Sequence, residues 1–135
     1  MKRFRDWEQR LSFACMAVTE RPHAWGTHDC ALYAADCVLA MTGVDLAEDY
    51  RGRYTTPVGA ARMLKRAGVD NLGDFAAQML PEIDIRAAGR GDLLICDGPE
   101  GEFFAIKIGH MCVGPSATGV LHVPVRQATR AFKVG

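Results

Sequence analysis

The stretch Thr27-His-Asp-Cys-Ala-Leu-Tyr-Ala-Ala-Asp-Cys37 (THDCALYAADC) decides how the rest of the chain is read. Thr27 and Asp29 both carry side-chain oxygens suited to capping the first turn of a helix. The run from Cys30 to Met41 is apolar nearly all round, with Asp36 its only charge, and Gly43 closes it. A helix without a polar face belongs in the centre of a fold. Cys30 then sits at the helix start, where unpaired N–H groups and the macrodipole favour thiolate over thiol. From position alone it is a nucleophile, a metal ligand or a small apolar residue of the core.

Upstream, Phe4, Trp7, Leu11, Ala14, Cys15 and Val18 fall on one stripe of an amphipathic helix over residues 3–19. Pro22 and Gly26 make the segment that follows a loop. Downstream, residues 45–54 read as loop with a short helical turn. Pro57 opens a helix that Gly68 closes, and a shorter helix spans residues 72–79 before Pro81. After Gly89 the texture turns to strands: DLLIC at 92–96, FFAIKIGHMCV at 103–113 as one strand or two, GVLHVPV at 119–125, and a last one at 131–134. Helices first and an antiparallel sheet last predict a single α+β domain over residues 1–135, with the helices on one sheet face.

Sixteen Lys and Arg balance sixteen Asp and Glu, so no excess positive charge is present to hold a nucleic-acid backbone. No basic amphipathic stretch suits a membrane surface, and no run of about eighteen apolar residues spans one. The start MKRFRDWEQRLSF lacks the apolar centre of a signal peptide. Five cysteines, an odd number with no CxxC pair, fit free thiols in a reducing cytosol. The missing close spacing argues against a metal or iron–sulfur site, and no cofactor is expected.

A thiolate nucleophile needs a base, and the base an orienting group. On a single strand Ile106, Ile108, His110 and Cys112 alternate onto one face. If that face meets the buried helix, His110 points toward Cys30. His122, twelve residues later, reaches His110 from the neighbouring strand. Cys30, His110 and His122 then make nucleophile, base and orienter. Cys15, Cys37, Cys96 and Cys112 read as core packing. His28 reads as a loop contact close enough to modulate the thiol.

The ordered set His23-Ala-Trp25-Gly26, Asp29-Cys30-Ala31-Leu32, Gly91-Asp92-Leu93, His110-Met-Cys-Val-Gly114 and Leu121-His122 resembles the NlpC-type cell-wall cysteine peptidases, a papain-like group. The resemblance covers about residues 22–125. A closer one is to small phage and prophage proteins encoded among tail genes. They carry W-G-x-x-D-C-A-hydrophobic-F-A-A-D, T-G-x-D and R-G-R-Y, matched by Trp25 to Asp36, Thr42 to Asp45 and Arg51 to Tyr54. Ala31-Leu32 replaces the peptidases' Ser-Gly, His23 replaces their Tyr, and the loop before Asp-Cys is short.

The resemblance implies a papain-like fold and a tail-tip cysteine hydrolase made in the host cytoplasm and carried in the virion. It would cut peptide bonds of the peptidoglycan stem, with Cys30, His110 and His122 catalytic and Asp29, His23 and Trp25 supporting. Arg51 and Arg53 offer a contact for substrate carboxylate or for a hub or distal tail protein. The alternative is a structural, hub-binding subunit of the same fold with weak or no catalysis. A third reading is a cytosolic amidase or acyltransferase using the same dyad.

Overall fold

A computed structural model describes residues 1–116 and 119–135. Four helices come first: α1 (Trp7–Glu20), α2 (Cys30–Thr42), α3 (Pro57–Arg66) and α4 (Leu72–Ala77). Six strands follow: β1 (Glu82–Ile83), β2 (Leu93–Gly98), β3 (Gly101–Ile108), β4 (Met111–Ser116), β5 (Gly119–Pro124) and β6 (Ala128–Phe132). They form one antiparallel sheet in the order β1-β6-β2-β3-β4-β5. The α+β expectation holds.

α2 is the centre, as its lack of a polar face requires. Leu11 and Val18 of α1 and Tyr33, Cys37, Val38 and Met41 of α2 pack on Leu93, Ile95, Phe104, Ile106 and Phe132 of the sheet. The reverse face buries Leu94, Cys96, Phe103, Ala105, Cys112, Val123 and Ala131. Sheet residues alternate between these two clusters at a period of two.

α1 starts later than its apolar stripe suggested, because tertiary contacts take the first residues. The Phe4 amide donates to the Met41 carbonyl. Arg3 reaches the Val134 carbonyl at 2.7 Å and the Asp92 carboxylate at 2.9 Å. Asp92, fully buried, also accepts from the Val134 and Gly89 amides at 3.0 and 2.8 Å. One carboxylate thus ties both chain ends to the start of β2.

The stretch FFAIKIGHMCV is two strands, not one. Ile108 pairs with Met111, leaving Gly109 and His110 as a two-residue turn. Gly109 takes φ +59°, the left-handed conformation a type II′ hairpin needs at its first central position. The turn resets the alternation. Ile106 and Ile108 face the helices, whereas Cys112 faces the other way. β6 begins earlier than expected, and the two-residue β1 beside it carried no sequence signal.

Breaking the Asp92 clamp tests this account. Asp92→Ala removes the carboxylate from the Arg3 guanidinium and from two amides, and it should cost about 3 kcal/mol in chemical denaturation. A loss below about 1 kcal/mol, the scale of an exposed pair, would show that the termini are held by something else.

Candidate site around Cys30

Asp29 builds the site. Its Oδ1 accepts from the Leu32 amide at 2.9 Å, capping α2. Its Oδ2 accepts from the Gly26 amide at 3.0 Å and the Tyr54 hydroxyl at 2.5 Å. The Gly26 carbonyl in turn accepts from the Gly52 amide at 2.8 Å. Gly26 is obligatory: φ is +83°, and a Cβ there would lie 1.9 Å from the Tyr54 carbonyl oxygen. The Trp-Gly loop and the Arg-Gly-Arg-Tyr loop therefore interlock over the start of α2.

Arg51 completes the lock. Its guanidinium takes Asp45 in a fork at 2.9 and 3.0 Å and meets Asp36 at 2.8 Å. Those hydrogen bonds hold the Asp45 carboxyl below the usual carboxylate range. Three stretches of sequence meet here: Asp36 from residues 25–36, Asp45 from residues 42–45, Arg51 and Tyr54 from residues 51–54. Arg51, expected to bind substrate or partner, spends its fork on two carboxylates of its own chain. Arg53, in the same turn, is exposed.

Cys30 sits at the first position of α2, where the sequence placed it, but its electrostatics run opposite to the expectation. Burial pushes the thiol up to about 11. Backbone hydrogen bonding by Phe104, Ala31 and Cys30 itself pulls down, and the neighbouring Asp29 charge pushes up again. Desolvation thus outweighs the helix start, and the thiol stays protonated at neutral pH.

The expected base is elsewhere. The strand that crosses Cys30 is β3, and Phe104 stands there. His110 lies in the exposed hairpin turn beyond Ile108. Ile108 is four residues past Phe104, roughly 13 Å along the strand. His122 pairs with Val113 on the edge strand β5 and is exposed. The arrangement does not bring Cys30, His110 and His122 together. The expectation assumed an unbroken strand through His110, and the Gly109 turn removes that geometry.

His23 meets Trp25 edge-on, with ring centroids 5.1 Å apart. Trp25, Asp29, Cys30, Tyr54 and Phe104 line one end of a cavity of about 390 Å³. The rest of it is mostly apolar and runs under α3 and α4, past Ala60, Met63, Leu64 and Phe75. α3 contributes no fully buried residue, so its apolar side roofs the cavity rather than filling the core. His28 is 1 % exposed, and neither ring nitrogen has a hydrogen-bond partner among the described residues. Burial, foremost, keeps it neutral, and its ring stands edge-on to Tyr33.

Among the described residues no group of three His, Cys, Asp or Glu side chains is arranged to hold a metal. No helix among them is long and apolar enough to cross a membrane. Sequence reasoning passed over Tyr54 as the Asp29 partner and Phe104 as the residue facing the thiol. The Arg-Gly-Arg-Tyr motif hinted at the first, and only strand register could reveal the second.

The profile of a family described as a domain of unknown function (DUF6950) matches residues 2–134, and the chain belongs to that family. No curated protein matches it.

The raised Cys30 value has a consequence for stability. An acid that titrates higher when folded stabilises the fold fully below its unfolded value, near 9, and loses that contribution as pH rises toward 11. Between pH 9 and 11 the wild type should therefore lose more unfolding free energy than Cys30→Ala. Parallel losses in the two proteins would refute the protonated thiol. Independently, Gly26→Ala should lower stability by at least about 2 kcal/mol through strain and collision. A neutral result would mean that the two loops are not interlocked.

Proposed function

We propose that this chain, a member of the DUF6950 family, is a phage tail-tip protein that works as a structural, hub-binding subunit on a papain-like NlpC-type fold. The observation that carries the loss of catalysis is the environment of Cys30: a desolvated thiol under Phe104, with both expected histidines displaced. A cysteine hydrolase needs the thiolate and a base within hydrogen-bond reach. The assignment to that fold is supported by a cysteine at the start of the central helix, packed against an antiparallel sheet. The tail-tip assignment rests on the ordered motifs from Trp25 to Tyr54. Asp29, Asp36, Asp45, Arg51 and Tyr54 spend those motifs on joining loops to α2, which suits a subunit selected for shape.

Hydrolysis of peptidoglycan stem peptides is the second reading. One observation favours it, the cavity that opens against Cys30.

Two assays separate the readings. Purified protein should leave peptidoglycan uncut under reducing conditions. In the particle that carries it, deletion of the gene should block tail assembly, and a Cys30→Ala gene should restore infectious particles at normal titre. Stem peptides cut by wild type and spared by Cys30→Ala would overturn the structural reading. Assembled Cys30→Ala particles that fail only at wall penetration would do the same.

A further inference from the structure

The thiol singled out by sequence is held protonated, while a different one is set up for chemistry. Cys15 lies on the side of α1 that packs against α2 and is only partly buried. The Tyr33 hydroxyl of α2 donates to its sulfur at 3.4 Å. Cys37, four residues on from Tyr33 and so on the same helix face, belongs to the same packed cluster as Cys15 and acts on the ionisation of its thiol. Cys37 is fully buried, so of the two sulfurs Cys15 is the one solvent reaches.

We propose that Cys15 is a site of oxidative modification by hydroperoxides, with Cys37 as the resolving thiol that closes a disulfide between α1 and α2. The Cys15 sulfur attacks one peroxide oxygen and the O–O bond breaks. The departing alkoxide, or hydroxide in the case of hydrogen peroxide, takes the thiol proton and leaves as alcohol or water. Sulfur, oxidised by two electrons, becomes sulfenic acid while the peroxide is reduced. The Cys37 sulfur then attacks the Cys15 sulfur. The S–S bond forms, the S–O bond breaks, and hydroxide leaves with the Cys37 proton as water.

The environment agrees with these roles. Hydrogen bonding, from Cys37 foremost and then from Tyr33, together with the charge of Arg90, holds the Cys15 thiol near 7 against the opposing effect of burial. The other thiol pair, Cys96 with Cys112, is fully buried on the far face of the sheet and serves as an internal control. Cys30, half-buried like Cys15 but with its thiol pushed up to about 11, is a second control.

The test treats native, reduced protein with hydrogen peroxide at pH 7, blocks remaining thiols, and maps the products after Asp-N digestion. That protease separates Cys15, Cys30 and Cys37 into the peptides 6–28, 29–35 and 36–44. The expected product joins 6–28 to 36–44, with Cys30, Cys96 and Cys112 still reduced. In Cys37→Ser the disulfide is lost and dimedone captures Cys15 sulfenic acid. Tyr33→Phe, which keeps the ring and removes the donor, should slow alkylation of Cys15 by about threefold at neutral pH. Circular dichroism confirms that each variant is folded. Should Cys37→Ser unfold, the wild-type peptide map and Tyr33→Phe still decide. Oxidation that begins at Cys30, Cys96 or Cys112, or a Cys15 that stays reduced until the protein is denatured, overturns the proposal.

Discussion

The Asp29 carboxylate is the interaction on which this structure turns. A lone N-cap aspartate contributes about 1 kcal/mol to a helix. Asp29 does more because it is buried and spends both oxygens, on the Leu32 amide, the Gly26 amide and the Tyr54 hydroxyl. Those partners come from three separate segments. α2 could not begin where it does without the Trp-Gly turn, and that turn could not close without the glycine beside the Tyr54 carbonyl. The cost of burying a charge is met by these hydrogen bonds, which is the usual condition for a carboxylate inside a protein.

The same residue acts on the charge state of Cys30. Helix starts lower thiol values when the sulfur faces water or a cation. Here the sulfur faces the backbone of β3, and the nearest ionisable neighbour is the acid that caps the helix. Desolvation and like charge act in one direction and win over the dipole. Asp29 therefore organises a loop junction and disfavours a thiolate with the same carboxylate. The second buried carboxylate, Asp92, repeats the logic near the other end of α2, joining Arg3, Gly89 and Val134. Together they fix the start of the central helix and the start of the central strand.

How far the sequence could be read follows from where its signals are local. α2 was legible to within a residue, because caps and apolar run lie next to one another. The α+β order was legible from the change of period after Gly89. The sequence leaves the split at Gly109 open as one strand or two, and the catalytic reading requires the unbroken form. A glycine in an apolar run signals both a turn and a tolerated gap, and only strand pairing separates them. Arg51 and Tyr54 were visible as a motif, but their partners, Asp36, Asp45 and Asp29, lie up to 25 residues away in sequence. The Cys15–Tyr33–Cys37 cluster was invisible for the same reason, since two helices must first be packed.

The most direct measurement of the central claim is the ¹³C chemical shift of the Cys30 β-carbon followed by NMR from neutral to alkaline pH, in wild type and His110→Ala. That shift reports thiol or thiolate without a reagent having to reach the sulfur. The account predicts a thiol throughout the neutral range, a midpoint near 11, and no change when His110 is removed. A midpoint below the ordinary thiol value of about 8.5 that moves on loss of His110 would contradict it and return Cys30 to the role of nucleophile.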